Sequence, residues 1–377
     1  MLDRSPFITA DWRRANASLV VLYVPHLTGT FTLRQQQCLA RLRQCSPAFA
    51  ADGGQRHFFV FTNDRGPCCI DGRYKDVDFL RHRVISYGEH GAPVHQYPFL
   101  GSAPSIPCFD PVKDISIPPP AWHTPPTPGG SLALSTDESS IGGAANRSLL
   151  LFFAGWHAAS ECRKNLVAAF QKNRDPAVLI RDNVTASTYQ RAMRSARFCP
   201  ICGGFAPWTP RLSEILYYEC VPIFMTDNWL LPFTSVLDWS KFSARTSVAR
   251  VDQLARFARG LNYPSLLAGV RFARQAFLYN VGPSYDGTGM LPLLIFQMAR
   301  SLRTRVAMPS HIRPVSNSVS ARLGDSCRED PNRELQLDRL PHRNYLAYST
   351  CELNGTVWSC TTARSHNRQC ACSQSGE

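Results

Sequence analysis

The sequence predicts an α/β protein built from two doubly wound halves. In both halves, short apolar runs of the kind that form buried parallel strands alternate with stretches of helical periodicity. A segment rich in Pro, Gly and Ser separates the halves at residues 118–147. With 377 residues and a hydrophobic content of 44%, the chain is long and apolar enough for two domains that each bury a core.

The first half, residues 1–117, contains three strand signals. The second apolar run leads directly into the turn sequence NDRG at Asn63–Gly66. The order strand, helix, strand is typical of a parallel sheet. In chain order, the predicted elements are a strand at Ser18–Val24, a helix at Leu33–Gln44, a strand at His57–Thr62 and a short strand near Asp114–Ile117.

The second half, residues 148–303, repeats this alternation over a longer stretch. Tyr189, Met193 and Ala196, for example, follow the i, i+4, i+7 spacing of a helix face. Beyond it, the periodicity fades into a Cys-rich, partly irregular tail at residues 304–377. The predicted strands are Leu149–Trp156, Ala177–Arg181, Arg197–Pro200 and Val221–Met225, and the predicted helices are Arg163–Gln171, Thr188–Arg197, Thr209–Glu219, Asp252–Arg259, Ser265–Tyr279 and Met290–Arg303.

The charge of the chain favours anionic partners. It carries 41 Lys and Arg against 28 Asp and Glu, a net charge of +13. Nucleotide phosphates, acidic glycans, membrane surfaces and nucleic acids all fit such an excess. Because the basic residues are scattered and never form a run of five, a dedicated nucleic-acid-binding arm is disfavoured, and no nucleic-acid partner is expected.

The cysteines and glycosylation sequons indicate the secretory pathway. No pair of C-x-x-C motifs among the 14 cysteines has zinc-finger spacing, so we expect disulfides in an oxidising compartment and no metal site. Four N-x-S/T sequons agree, at Asn16, Asn146, Asn183 and Asn354. No signal peptide or membrane span is visible in the sequence, so either the protein is cytosolic or the sequence lacks its true N-terminus.

The stretch with the most chemical information is Phe198–Phe242. Thr209 and Pro210 are typical of an N-cap and a first helical residue, which places Arg211 in the first turn. Free backbone N–H groups, the helix dipole and a guanidinium would then converge on a site suited to a diphosphate. Glu214, one turn further on, could accept a hydrogen bond from a ribose or sugar hydroxyl. The alternative is an ordinary surface Arg–Glu pair on a capped helix.

This stretch resembles the exostosin family, family 47 of the glycosyltransferases. The family pattern is approximately F-C-x-x-x-x-G, then S/T-x-R-x-x-E-A, C-V-P-V, L-P-F and D/N-W. The residues that match it without a gap are Phe198-Cys199, Gly204, Thr209, Arg211, Glu214, Cys220-Val221-Pro222, Leu231-Pro232-Phe233 and Asp238-Trp239. Further similar segments follow the family's order, so that the resemblance covers about residues 5–300. They are Ala15–Pro25, His57–Gly66, Lys113–Pro118, Ser148–Gly155 with Arg163, and Tyr189–Ser195.

The resemblance implies a GT-B fold, in which two Rossmann-like domains face a central cleft. It implies that the N-terminal domain binds a glycan acceptor, that the C-terminal domain binds a UDP-sugar donor, and that the sugar is transferred with inversion and without an essential metal. The donor-binding residues that it implies are Arg211, Glu214, Arg163, Gly204 and Thr209. Arg163 is interpreted equally well as a solvated helix residue.

The general base that the resemblance implies is Asp64, which follows a predicted strand and would lie at the mouth of the cleft. The alternative is an aspartate that only forms the turn. Asn63 and Arg65 stand where the family frequently has His and Trp. Two hypotheses follow: an active UDP-sugar glycosyltransferase, or a catalytically inactive GT-B-like partner that supports an active homologous glycosyltransferase.

Two further expectations concern the motif Cys199–Cys202 and the start of the chain. The sequence CPIC has the spacing of a redox C-x-x-C motif, but the match of Cys199 to the family favours a buried or disulfide-bonded role. The membrane anchor and first strand of family members have no counterpart here. We therefore expect an N-terminally truncated form of a Golgi membrane protein with a luminal catalytic domain, whose first sheet lacks one strand.

Overall fold

The chain divides into two compact units. One, called here the central unit, consists mainly of Ile115–Gln297, and the other, the N-terminal unit, consists of Ser5–Ser86, Pro93–Asp114 and Met298–Glu377. The predicted domain boundaries at residues 117, 147 and 303 stay predictions. The computed structural model describes residues 13–22, 39, 42–44, 46–61, 82–86, 109–119, 147–171, 175–204, 209–226, 229–278 and 289–303, and the backbone of residues 348–353, 356–361 and 371–374.

Parallel strands form the centre of the N-terminal unit. Strands β1 (Ser18–Leu22), β2 (His57–Phe61) and β3 (Arg83–Ser86) pair in that order, and both pairs are parallel. β1 and β2 confirm two predicted strands. The sequence analysis missed β3 because its two apolar residues lie between the polar Arg83 and Ser86, which gives too short a run to stand out.

A short helix, α1 (Pro47–Asp52), leads into β2. The hydroxyl of Ser46 accepts a hydrogen bond from the Phe49 N–H at 3.1 Å, and Gly53 ends the helix in the left-handed region with a φ of 64°. Of the helix predicted at Leu33–Gln44, residues 39 and 42–44 are described and helical. The turn at residues 63–66, and with it the proposed base Asp64, lies outside the described residues.

A buried ion pair connects β3 to the segment before residue 115. The Lys113 ammonium lies 2.7 Å from both oxygens of the Asp114 carboxylate, which also accepts the Val84 N–H at 2.8 Å. Both charged side chains are buried. Burial raises the pKa of Asp114 to about 6, although the neighbouring Lys113 acts in the opposite direction. The Asp114 carboxylate therefore fixes β3 through the Val84 N–H, and leaving either buried charge of the pair without its partner would cost free energy of folding.

The central unit is built on a five-stranded sheet in which all neighbouring pairs are parallel. Its three inner strands are almost completely buried, as the continuous apolar runs predict, whereas the two edge strands are partly exposed. The unit also contains β4 (Ile115–Ser116), which is not part of this sheet. The order of the sheet is β6-β5-β7-β8-β9, where the strands are β5 (Leu149–Ala154), β6 (Val178–Arg181), β7 (Ala196–Ile201), β8 (Val221–Phe224) and β9 (Ala244–Arg245). The predicted α/β fold with parallel sheets is thereby confirmed.

Helices connect these strands, and most lie close to their predicted positions. Side-chain caps mark two starts, since Ser160 accepts the Arg163 N–H and Thr185 accepts the Thr188 N–H. The helices are α2 (Glu161–Phe170), α3 (Ala186–Ser195), α4 (Arg211–Tyr217), α5 (Leu254–Arg259), α6 (Tyr263–Ala273) and α7 (Met290–Arg303), with 3₁₀ turns at His157–Ala159, Trp239–Lys241, Val248–Gln253 and Arg274–Phe277. None of the helices within the described residues is long and apolar enough to cross a membrane.

The start of α4 differs from its prediction. Its capping residue is Pro210, without a side-chain hydrogen bond, and the helix has seven residues, so the prediction that Thr209 is the N-cap is wrong. Thr209 is buried and contributes its backbone carbonyl, which accepts the Leu212 N–H at 3.1 Å. A buried threonine within a tight turn satisfies the first turn through the main chain instead of its hydroxyl.

Two disulfides lie in the central unit, and neither joins the two cysteines of the CPIC motif. Cys199 pairs with Cys220, and Cys202 pairs with Cys162. Cys199 lies inside β7 and faces the start of the neighbouring β8, whereas Cys202 comes after the strand end and reaches α2. The expected disulfide-bonded role of Cys199 is confirmed, and the interpretation as a redox C-x-x-C motif is wrong.

Three strands are described in the predicted Cys-rich tail. β10 (Tyr348–Leu353), β11 (Thr356–Thr361) and β12 (Ala371–Gln374) pair in this order, and both pairs are antiparallel. Periodicity gave no sign of them, because short strands in a polar segment leave no apolar pattern.

We predict that the buried pair supports the N-terminal unit far more than an exposed one supports α2. Asp114→Ala leaves the Lys113 ammonium buried without its counter-charge, so the free energy of unfolding should fall by about 3–5 kcal/mol. The control is Glu161→Ala, which breaks an exposed pair with Lys164 at 3.4 Å and should cost less than about 1 kcal/mol. Urea denaturation of the full chain measures both. Equal losses in the two variants would contradict this account of β3.

Candidate functional site

The strand order of the central sheet creates a crevice at one edge. The chain passes from β5 to β6 on one side and then crosses back to β7 on the other side. In open parallel sheets, ligands bind at the carboxyl ends of the two strands where this reversal occurs. Here β5 ends at Ala154 and is followed by Gly155, and β7 ends at Ile201 and is followed by a loop that contains Gly203-Gly204. We call the space between these two loops the switch-point crevice.

Arg163 places its guanidinium between the two glycine loops. A Cβ atom at Gly155 would lie 3.5 Å from its Nη1, and one at Gly204 would lie 3.4 Å from its Nη2. Both glycines therefore leave this cation uncovered where larger residues would touch it. The side chain makes no hydrogen bond or ion pair within the described part of the chain, and its buried Nε has no partner there. Its contact is with the Phe153 ring, whose centroid lies 5.9 Å from Cζ.

The charges around Arg163 favour an anion over a cation at this position. Burial lowers the pKa of its guanidinium, and the positive charge of Arg211 lowers it further. No carboxylate contributes to that shift. A half-buried cation next to a second cation gains most from an anionic ligand. The α2 N-terminus, which starts shortly after Gly155, adds its dipole at the same edge.

Arg211 lies in the core beneath the crevice. Its Nη2 donates to the Phe152 carbonyl at 2.7 Å, and its Nη1 donates to the Ala154 carbonyl at 3.3 Å and to the Tyr189 hydroxyl at 3.2 Å. The guanidinium also stacks near the rings of Phe152 and Phe153, each centroid 5.0 Å from Cζ. Because the residue is buried, the alternative of a surface Arg–Glu pair is wrong.

Glu214 shares this buried layer through Tyr189. The Tyr189 hydroxyl donates to Glu214 Oε2 at 2.5 Å while it accepts from Arg211, so one hydroxyl bridges the two predicted site residues. Burial raises the pKa of Tyr189 well above its usual range. The phenol therefore stays protonated and keeps donating to the carboxylate. Arg211, Tyr189 and Glu214 form a chain of hydrogen bonds next to β5, and we call these three residues the buried triad.

The loop after β5 is fixed from the end of β6. Asp182 Oδ1 accepts the backbone N–H of His157 at 2.5 Å and lies 2.7 Å from its Nδ1. These hydrogen bonds lower the pKa of the exposed Asp182 carboxyl. Trp156, between Gly155 and His157, exposes 56% of its surface at the edge of the crevice. Sequence reasoning missed this arrangement, although both polar residues directly follow predicted strands.

The structure therefore separates the predicted donor residues into two levels. Arg163 and Gly204 line the switch-point crevice, and Arg211, Glu214 and Thr209 are buried. Asp64 lies outside the described residues. Within the described ranges, no three His, Cys, Asp or Glu side chains come together in a way that could hold a metal ion.

Comparison with known proteins gives a family match over most of the chain. A family model described as the Exostosin GT47 domain matches residues 1–261. A relative from Arabidopsis thaliana named "Probable glycosyltransferase" is 28% identical over 241 residues, which are 63% of this chain and 45% of the relative.

Two other relatives have more specific names. A "Probable glucuronosyltransferase" from Oryza sativa subsp. japonica is 24% identical over 219 residues, 55% of this chain and 48% of the relative. A "Probable beta-1,4-xylosyltransferase" from Arabidopsis thaliana is 24% identical over 212 residues, 53% of this chain and 47% of the relative. The chain spans about half the length of each of these three relatives.

We predict that the central hydroxyl of the buried triad stabilises the fold. Tyr189→Phe leaves the buried Glu214 carboxylate and Arg211 guanidinium short of one hydrogen bond each, so it should lower the free energy of unfolding by about 1–3 kcal/mol. The matched control is Tyr217→Phe, because the Tyr217 hydroxyl makes no hydrogen bond within the described residues and its loss should cost less than about 0.5 kcal/mol. Chemical denaturation, monitored by circular dichroism, measures the free energy of unfolding of both variants. A Tyr189→Phe variant as stable as its control would show that the bridge contributes little.

Proposed function

Since this chain belongs to the exostosin GT47 family, we propose that it is a glycosyltransferase. The reaction is the transfer of a sugar from a UDP-sugar donor to a hydroxyl of a glycan acceptor, with inversion at the transferred carbon. The GT-B arrangement, in which the donor and acceptor domains face a cleft, is part of this proposal. So is a place in polysaccharide or glycoprotein synthesis.

The observation that carries the proposal is the uncovered guanidinium of Arg163 in the switch-point crevice. A diphosphate there would give this cation the anionic partner that it lacks among the described residues. The two flanking glycines let a phosphate approach the backbone closely, since neither has a Cβ in the way. A nucleotide sugar is the family's donor class, and its diphosphate fits this chemistry.

The proposed catalytic contribution of Arg163 is to the leaving group. When the glycosidic bond to the donor breaks, negative charge grows on the departing UDP. A guanidinium in the crevice stabilises the larger negative charge of the departing UDP more strongly than the smaller charge of the intact donor diphosphate. The buried Arg211, whose Cζ lies 5.0 Å from the centroid of the Phe153 ring, is a second positive charge near Arg163. No essential metal is expected for this step.

Glu214, Thr209 and Gly204 have supporting roles in this proposal. The Glu214 carboxylate is engaged by Tyr189, so its predicted contact with a ribose or sugar hydroxyl requires the hydroxyl to join the same hydrogen-bond network. Thr209 shapes the turn that starts α4. Gly204 contributes the backbone on the β7 side of the crevice.

The acceptor side depends on Asp64 as the proposed general base. It would remove the proton from the attacking glycan hydroxyl. The names of the relatives differ in the sugar that they specify, glucuronosyl in one and xylosyl in another. We therefore propose the UDP-sugar class and leave the sugar itself to a donor screen.

The proposed location is the Golgi lumen, on a membrane-anchored protein. The two disulfides support an oxidising compartment, since such bonds persist in the secretory pathway. A homologous glycosyltransferase is a proposed partner. The second candidate, an inactive partner of such an enzyme, rests on the altered residues Asn63 and Arg65 and would bind a UDP-sugar without transferring it.

We predict that Arg163→Ala weakens UDP binding by roughly ten- to a hundred-fold, because a charged hydrogen bond to phosphate contributes about 1.5–3 kcal/mol. Arg163→Lys should recover only part of the affinity, since an ammonium cannot make the bidentate contact. Calorimetric titration of UDP into each folded variant measures the effect, and a screen of UDP-sugars with glycan acceptors measures transfer.

The matched control for this titration is Lys164→Ala, which removes a cation one residue away on the exposed face of α2. It should leave UDP affinity within about two-fold of the wild type. Unchanged affinity in folded Arg163→Ala would refute the donor-site assignment. Binding of UDP-sugars with no transfer to any acceptor would favour the inactive partner.

A further inference from the structure

A disulfide lies at the switch-point crevice, directly beside the cation that the proposed function uses. Cys162, bonded to Cys202, is the neighbour of Arg163 in the first turn of α2. Cys202 lies two residues before Gly204, on the loop that follows β7. The bond therefore joins the two sides of the crevice. Because it lies next to Arg163 and close to Gly204, it limits the distance between the backbones of these two residues.

A hydrogen bond reinforces the same connection. The Ser160 hydroxyl donates to the Gly203 carbonyl at 2.8 Å, while its oxygen also accepts the Arg163 N–H to cap α2. Ser160, Cys162 and Arg163 thus all reach from the start of α2 to residues 202–204. This set of contacts is called here the crevice clamp.

The first turn of α2 has no buried side chain. Glu161 and Lys164 are exposed, and the first buried side chain of the helix is Leu166, a full turn along. The Arg163 guanidinium makes no hydrogen bond that could hold it within the described residues. An arginine side chain loses much rotamer freedom when a ligand orders it, so a backbone that already sits at the correct distance lowers that cost.

The second disulfide of the unit has a different position. Cys199 and Cys220 are completely buried, and their bond joins β7 to the residue before β8, two strands that already pair through backbone hydrogen bonds. The Cys162–Cys202 bond instead joins a helix start to a loop that no strand pairing holds. The Cys199–Cys220 bond is placed to support the core, and the Cys162–Cys202 bond is placed to support the crevice.

We infer that Cys162 and Cys202 are positioning residues of the proposed donor site: their disulfide holds Arg163 at the distance from Gly204 that a diphosphate requires. The inference rests on the proposed function, because it concerns the same crevice and the same ligand. It adds that phosphate binding depends on the oxidised state of this cystine and not on that of Cys199–Cys220.

The test compares full-length variants that lack either disulfide. Cys162→Ser/Cys202→Ser should keep its fold by circular dichroism and weaken UDP binding roughly ten-fold in calorimetry, because a misplaced cation loses most of its contact with the phosphate. Cys199→Ser/Cys220→Ser is the matched control. It should lower the melting temperature more than the first variant does, and its folded form should bind UDP with wild-type affinity.

A double-mutant cycle separates positioning from general destabilisation. In an Arg163→Ala background, loss of Cys162–Cys202 should have almost no further effect on UDP affinity, because the residue that it positions is gone. If the disulfide is removed and affinity stays at the wild-type value, or if it falls equally in both backgrounds, the inference is wrong. If the wild type binds no UDP, or Arg163→Ala binds it normally, the proposed function itself fails, which is a distinguishable result.

A second experiment uses the wild-type protein, so that no variant has to fold without these cysteines. Dithiothreitol reduces the Cys162–Cys202 bond of the folded wild type, in which Cys162 is half-exposed and Cys202 is buried, to two thiols, and mass spectrometry of alkylated peptides identifies which bond has opened. UDP affinity should fall in step with opening of Cys162–Cys202 and return on reoxidation. Affinity that stays constant while this bond opens would overturn the inference.

Discussion

The reversal of strand order at β5 and β7 is the constraint on which the central unit depends. Because one crossover connection goes to each side of β5, the loops after β5 and β7 diverge and leave a crevice between them. The other features of the site lie at that edge of the sheet. α2 begins there, the glycines follow the two strand ends there, and the Arg163 guanidinium lies between the two loops without a hydrogen bond among the described residues.

Two buried charges lie next to the crevice. The Nη atoms of Arg211 donate to carbonyls and to Tyr189, and the Glu214 carboxylate accepts from Tyr189, whereas the Arg211 Nε has no partner among the described residues. Burying such charges is costly unless they have hydrogen-bond partners, and here one hydroxyl is shared between the two charged groups. Tyr189 bridges the opposite charges of Arg211 and Glu214, and the Phe153 ring contacts both the buried guanidinium and the one at the crevice, with its centroid 5.0 and 5.9 Å from the two Cζ atoms.

Much of the fold could be predicted from periodicity. The central strands are continuous apolar runs, and the helix at Met290–Arg303 has the predicted bounds. β3 and β9 could not be predicted, because two to four residues with polar ends carry no period. The capping residue of α4 was also misassigned, since a hydroxyl caps a helix only when the turn directs it to the free N–H groups.

By itself the sequence determined the α/β class, the family and the residue types of the site. Only the tertiary structure decided which arginine lines the crevice and which is buried. Arg211 and Arg163 carry the same guanidinium, yet Phe152 and Tyr189 enclose one while Gly155 and Gly204 leave the other uncovered. Exposure depends on residues that are distant along the chain, and so does the pairing of Cys202 with Cys162 instead of Cys199. The spacing of residues along the sequence predicts neither the exposure of Arg163 nor the pairing of Cys162 with Cys202, because both arise when strands and helices are packed together.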